Sequence, residues 1–291
     1  MKSLIFKILR YSGLPTLMRL LFQRKYVTIL TFHELTPLVA EKFFLYLKKN
    51  YNIISLQSFF KVIENKNEYL LPKWSLVITF DDGSISNYSL LNIIVRHKIP
   101  VTIFLNSGII NSKRHYWFKY NRELFSNKAL KQISNKARLE LMGQHGFRQD
   151  QEYDYPQALS KDQIIEMSKF IDMQSHTVFH PCLPKCEKEE AEFEIINCKK
   201  NLESEYGFDI NAIAFPNGDF TPREIEIVKL AGYKYSLTTK NGYNSTFADP
   251  FKLKRLDPGH TDNFDEFVVK SSGLQILWQI FKNINLKIRL M

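Results

Sequence analysis

The chain has 291 residues, of which 44% are hydrophobic, 14% aromatic and 24% charged, with 11 glycines and 11 prolines. That composition excludes collagen-like, low-complexity and small disulfide-scaffold classes, and the length suffices for one large catalytic domain. The net charge of +10 is carried by the two ends: residues 1–26 hold Lys2, Lys7, Arg10, Arg19, Arg24 and Lys25, residues 267–291 hold Lys270, Lys282, Lys287 and Arg289, and neither stretch has an acid. The body, 27–266, is neutral overall, which argues against nucleic acid as a partner.

Residues 1–26 carry apolar side chains at helical spacing, Leu4, Ile5, Ile8 and Leu9 followed by Leu17, Leu20 and Leu21. Residues 267–291 repeat the pattern with Leu277, Ile280, Phe281, Ile284 and Ile288. Two readings fit such a basic amphipathic segment. It lies on an anionic membrane surface, or its apolar stripe packs on the domain while Lys and Arg face water. Lys7 and Arg10 at one end, and Lys282 and Lys287 at the other, break the apolar runs too early for a membrane span. The start also lacks the apolar run and cleavage site of a secretory signal. Three cysteines, Cys182, Cys186 and Cys198, make no complete disulfide framework. The expectation is a cytoplasmic protein, peripheral on the inner face of the cytoplasmic membrane if its ends bind lipid.

In chain order, β-rich runs at 27–32, 76–80, 101–105, 170–174, 213–215, 235–239 and 253–256 read as buried strands. Helical pattern fills 40–48, 56–64, 86–97, 160–169, 187–206 and 222–231. This alternation predicts parallel strands joined by right-handed crossovers, and seven strands favour an α/β fold of the distorted (β/α)7-barrel type. A long charged stretch at about 106–160, containing Tyr116, Trp117 and Phe118, reads as an insertion over the rim. The expected organisation is a basic amphipathic segment at 1–26, one domain at 27–266, and a basic amphipathic helix at 267–291. Functional residues of such sheets collect at the carboxyl edge. His33, the Asp81-Asp82 pair, His176 with His180, and the Pro216-Asn217-Gly218 turn all follow strands.

Adjacent carboxylates repel, so Asp81-Asp82 makes sense either as a turn with a helix cap or as a pair in which one acid is held by a cation and the other is free to take a proton. His176 and His180, four residues apart, can aim two imidazoles at one point. One Asp and two His form a three-ligand set with an open position, suited to catalytic Zn²⁺ and equally to Ni²⁺, Co²⁺ or Fe²⁺. A closed structural zinc site from His176, His180, Cys182 and Cys186 is the competing arrangement, and it leaves the Asp pair unexplained.

The runs TFDDG at 79–83, SHTVFHPCL at 175–183, AFPNGDF at 214–220 and AGYKYSLTT at 231–239 together resemble the polysaccharide deacetylase family, the NodB-homology or carbohydrate esterase family 4 group. The resemblance extends over about 27–257 and implies a NodB-like barrel. It implies that Asp82, His176 and His180 bind a divalent metal, that Asp81 is the general base, and that the main chain at Asn217, after Pro216, donates to the oxyanion. It implies a metal-dependent deacetylase acting on N-acetylated amino sugars of a polysaccharide or a lipid-linked glycan precursor. A deformylase, an O-deacetylase and a non-catalytic carbohydrate-binding relative are the alternatives. Two departures stand out. Ala214 occupies the place of the arginine that braces the base, so the brace comes from elsewhere or is missing. The late Leu-x-His motif of the general acid is also absent. His33, in LTFHEL, resembles the histidine of a subgroup lacking that motif and is taken as the acid, with a purely structural strand-end role and His260 as alternatives. Tyr116 and Trp117 suit either stacking on a sugar ring or core packing.

Overall fold

The three longest runs, rich in β-branched and aromatic residues, are buried on both faces as parallel strands flanked by helices must be, and with four shorter ones they make seven strands. They are β1 (Thr28–Phe32), β2 (Asn52–Ile53), β3 (Ser75–Phe80), β4 (Val101–Leu105), β5 (Asp172–Ser175), β6 (Ala212–Ala214) and β7 (Tyr235–Leu237). In the computed structural model, which describes residues 2–121, 123–259 and 261–277, every pairing is parallel, in the order β1-β3-β4-β5-β6-β7 with β2 beside β3. The helices are α1 (Lys2–Tyr11), α2 (Leu14–Met18), α3 (Pro37–Asn50), α4 (Leu56–Asn65), α5 (Leu91–His97), α6 (Asn127–Leu130), α7 (Asn135–Gly143), α8 (Lys161–Met167), α9 (Lys188–Tyr206), α10 (Pro222–Leu230) and α11 (Phe264–Ser271). Their starts follow local chemistry. Ser160 with Gln163, and Thr221 with Glu224, form reciprocal capping boxes at α8 and α10.

The curled parallel sheet, ringed by helices, is the distorted NodB-like barrel expected. Several details differ from the sequence reading, among them a β7 that ends at Leu237 and an α5 that is α-helical only from Leu91. β2 is an additional strand. β5 begins two residues late, because the Phe170 and Ile171 amides still bond to Met167 O and close α8. The run 253–256 is not a ladder strand: Leu253 bridges β7 at Leu237 and Leu256 bridges β1 at Leu30. It changes partner within three residues, so it sustains a ladder with neither, yet it joins the two edges of the sheet.

Alternate strand residues face opposite ways. Leu30, Phe32, Ile78, Phe80, Ile103 and Leu105 point outward to a core shared with α3, α5, α8, α9 and α11. Ile29, Val77, Phe104, Ala214, Leu237 and Leu253 point inward, where α4 adds Phe59 and Phe60. Asp81 continues the inward parity of Val77 and Thr79, while Asp82 belongs to the turn beyond. The boundary expected at 266/267 falls inside α11, whose Phe267 is buried and stacks on Phe43. Residues 278–291, and with them Ile280, Phe281, Ile284 and Ile288, lie outside the described residues. The stretch 106–160 lies over the rim, tied to the turn after β3 by a Ser84–Ala158 bridge, and carries a small core of Trp117, Leu130, Met142 and Phe147 with Cys182.

Candidate active site

The Asp81 amide bonds to Phe32 O at 2.9 Å, extending the β1–β3 ladder by one residue and leaving the carboxylate aimed along the barrel interior. The chain then turns sharply: Asp82 and Gly83 have φ of 73° and 69°. The positive φ favours glycine at 83, and a Cβ there would also press on the Leu105 side chain, 2.6 Å from Cδ2. The Tyr116 hydroxyl, buried in the insertion, donates to Asp82 O at 2.6 Å.

After β5, residues 176–180 form a tight loop with Thr177 and His180 in the left-handed region. The neighbouring loop holds it by backbone bonds from Ser107 and Gly108 to Thr177 O and Val178 O, and by the Asn106 side-chain amide to His176 O. The Phe179 amide donates to Glu194 on α9 at 2.8 Å, and Trp117 Nε1 donates to His180 O at 2.8 Å. His176 Nδ1 is 2.8 Å from Ala214 O, which fixes the ring and turns Nε2 toward Asp82. Tyr116 and Trp117 are therefore braces on the carbonyls of Asp82 and His180; core packing holds for both, and the sugar-stacking alternative does not.

Asp82 Oδ1 lies 3.5 Å from His176 Nε2 and 3.4 Å from His180 Nε2, with all three side chains buried. These separations are too long for hydrogen bonds, and the oxygen has no hydrogen-bond partner among the described residues. They match a shared ion: ligand atoms about 2.0–2.2 Å from a tetrahedral centre stand about 3.3–3.5 Å apart. The donor set fits a divalent metal, and among the described residues no other group of three such side chains converges. Burial pushes the His180 imidazole down to about 3, keeping it neutral as a ligand must be. Burial opposes charge on Asp82, but the neighbouring imidazoles, His176 foremost, hold its carboxyl well below the usual range. Cys182 and Cys186 are buried free thiols outside this group, so the closed four-ligand zinc arrangement does not form.

Asp81 has a different neighbour. Arg255 grips it with two parallel bonds, Nη1 to Oδ1 and Nη2 to Oδ2, both 2.7 Å, and is itself wholly buried, with Nε bonded to Thr238 O at 3.0 Å. Burial alone raises the Asp81 carboxyl; Arg255 and His176 outweigh it and hold it below the ordinary range, so it is ionised at neutral pH. The brace missing at Ala214 is thus supplied from 253–256. Sequence reasoning overlooked it, although a lone arginine with the inward parity of Leu253 was a usable signal.

The metal-capable group opens into a cleft of about 640 Å³. His33, Asp81, Asn217, Thr239 and Asp257 line it from the barrel, and Phe118, Lys119, Asn127 and Lys131 from the insertion. His33 is half-buried, its carbonyl held by Asn87 Nδ2 at 2.8 Å. Phe118 lies 4.7 Å from the His180 ring and is the aromatic face actually presented to the cleft. Pro216 is buried and Asn217 takes φ 57°; the turn's bonds run from Gly218 to Phe215 O and from Asp219 to Pro216 O, passing over the Asn217 amide. A Cβ on Gly218 would stand 2.3 Å from the Thr239 amide nitrogen, so this turn also depends on glycine. His260 lies outside the described residues.

Removing the Glu194 carboxylate orphans the Phe179 amide and frees the loop that aims His180. Glu194→Ala is expected to weaken Zn²⁺ or Co²⁺ binding about 10–100-fold, read by titration of metal-free protein.

A curled parallel barrel whose carboxyl edge gathers an Asp-His-His group beside an arginine-held carboxylate is a NodB-type domain. Residues 71–236, more than half of the chain, match the family model described as polysaccharide deacetylase, and the chain belongs to that family of hydrolases. Solved structures agree on the fold. Similar ones are the Streptococcus pyogenes deacetylase PplD (TM-score 0.60, 19% identity, 81% of this chain and 95% of that one) and IcaB from Ammonifex degensii (0.62, 17%, 85% and 97%). The BpsB deacetylase domain from Bordetella bronchiseptica is a third (0.56, 15%, 80% and 96%). No curated protein matches the sequence.

Proposed function

We propose that the chain is a metal-dependent deacetylase that hydrolyses N-acetyl groups of amino sugars in a polysaccharide or a lipid-linked glycan precursor. One observation carries this reading: a buried carboxylate oxygen without a hydrogen-bond partner, 3.4–3.5 Å from two imidazole nitrogens, next to a second carboxylate held ionised and open to a cleft.

Asp82, His176 and His180 would hold the ion, Zn²⁺ foremost, with Ni²⁺, Co²⁺ and Fe²⁺ suited to the same donors. Such an ion supplies Lewis acidity toward the acyl carbonyl and the attacking water. The chain does the rest. Asp81 takes the proton of the water as it attacks, and Arg255 keeps that carboxylate ionised and oriented. The Asn217 amide, outside its turn's own bonds, donates to the oxygen that becomes negative. His33, on the cleft wall, returns a proton to the departing amine. Phe118 offers a flat apolar face to a sugar ring.

A non-catalytic role drew its support from the missing brace and acid. Arg255 removes the first ground and His33, lining the cleft, weakens the second. The Streptococcus pyogenes relative is described in complex with acetate, the product expected here, and the acyl group is the part of the reading that product analysis tests.

Acetate release from N-acetylglucosamine oligomers is expected to stop with chelator and return with Zn²⁺. Glycan binding without release would defeat the proposal, and formate as product would reassign the acyl group. His33→Ala is expected to slow release about 10²–10⁴-fold; an unchanged rate would remove His33 as the acid.

A further inference from the structure

The amino-terminal segment is anchored by one face and leaves the other to solvent. α1 lies on α11: Arg10 pairs with Asp265 at 2.5 Å and lies over the Phe264 ring, and Asn263 Nδ2 donates to Ser3 Oγ at 3.0 Å. Further along, Pro15, Met18 and Gln23 are buried, Gln23 bonding to Ser271 O and Tyr51. The stripe predicted from the sequence faces the other way. Leu4, Ile5 and Ile8 are 61%, 56% and 61% exposed, and Leu14, Leu17, Leu20 and Leu21 are exposed as well. Apart from half-buried Leu9, the segment's apolar stripe is therefore not packed on the domain.

Where this segment meets the amino ends of β1, β2 and β3, two grooves open, of about 320 and 670 Å³. Arg19, Lys48 and Lys49 line the first, Arg24, Lys25 and Lys73 the second, and no side chain described in either is acidic. Among the described residues none of these six cations forms an ion pair; Arg19 and Arg24 lie instead over the rings of Tyr51 and Trp74.

We propose that this continuous face, the outward side of α1 and α2 with the two grooves, docks on an anionic lipid bilayer. The leucines and isoleucines enter the apolar boundary, and the Lys and Arg side chains meet lipid phosphates. Charge alone would suit any polyanion, but exposed Leu4, Ile8 and Leu17 gain nothing from a nucleic acid or an anionic glycan, whereas a bilayer meets both halves of the face. A second copy fits poorly, because a two-fold contact would set this acid-free patch against itself. No helix among the described residues is long and apolar enough to cross a membrane, so attachment is to the surface. The grooves lie at the amino end of the barrel, opposite the catalytic cleft at the carboxyl end.

The test is flotation of the full chain with phosphatidylcholine vesicles, with and without phosphatidylglycerol. The chain is expected to float only with phosphatidylglycerol present, and less so as salt rises. Arg24→Gln/Lys25→Gln/Lys73→Gln is expected to lower partitioning about 10²-fold, and Ile5→Ser/Ile8→Ser/Leu17→Ser to abolish it. The substituted side chains are not core residues, so thermal unfolding and acetate release from a soluble oligosaccharide should stay unchanged, which separates this proposal from the catalytic reading. Absence of flotation, flotation indifferent to anionic lipid, or flotation retained by the serine variant would overturn it. So would a dimer in lipid-free sedimentation that the serine variant converts to monomer, since a second copy would then be the occupant.

Discussion

Asp81→Asn is expected to cut the rate of acetate release at least about 10²–10⁴-fold while leaving divalent-ion binding essentially intact, whereas His176→Ala loses both. The two residues lie in one buried cluster, yet their partners differ. Asp81 spends both oxygens on Arg255 and is not among the three side chains whose ligand atoms converge. An amide there keeps the shape and loses the capacity to accept a proton. His176 turns its Nε2 to the shared point because Ala214 O holds Nδ1, so its removal leaves two ligands, too few for a tight site. Single-turnover acetate release combined with titration of metal into metal-free protein separates the outcomes. Equal loss of metal in both variants would make Asp81 a ligand and leave the reaction without its base.

Arg255→Met should be the most destabilising single change at the site. Removing one member of a buried, bidentate ion pair leaves a carboxylate without compensation, at a cost of about 3–5 kcal/mol. The loss is pH-dependent, with a definite sign. In the wild type the Asp81 carboxyl is held low, so its stabilising contribution is present above the unfolded carboxylate range and fades as pH falls through the folded value. Without Arg255 burial dominates and the folded value rises above the unfolded one, so the variant loses stability as pH rises. The gap between the proteins should therefore widen from acid to neutral pH, measured by urea unfolding across that range. The acid limb of kcat/KM should move upward too, because more of Asp81 is protonated at a given pH. Asp81→Asn/Arg255→Met removes both charges and should recover much of the stability, with a strongly non-additive cycle. A flat, pH-independent difference would show that Arg255 merely fills space.

The insertion at 106–160 does more than cover the rim. Tyr116 and Trp117 hold the carbonyls of Asp82 and His180, each in the left-handed backbone region, and Phe118 faces the cleft. The same three consecutive residues thus brace the turns that carry Asp82 and His180 and shape the space before them. From the sequence their aromatic character was visible, but whether they met sugar or backbone was not, because that depends on where the insertion folds back.

What the sequence by itself determined is what short-range chemistry fixes. Strand and helix alternation follows from residue periodicity, helix starts from caps such as Ser160 with Gln163, and the candidate site motifs from residues at most four apart, Asp81-Asp82-Gly83 and His176 with His180. Barrel closure decided the rest. Arg255 meets Asp81 across 174 residues, because 253–256 joins both edges of the sheet. Glu194 reaches the histidine loop only once α9 is docked. The apolar stripe of α1 turned outward because Arg10 and Ser3 fasten the opposite face to α11. Periodicity determines that a face exists and which side chains share it; which surface it meets is an energy of assembly between segments far apart in the chain, and no local run of residues contains it.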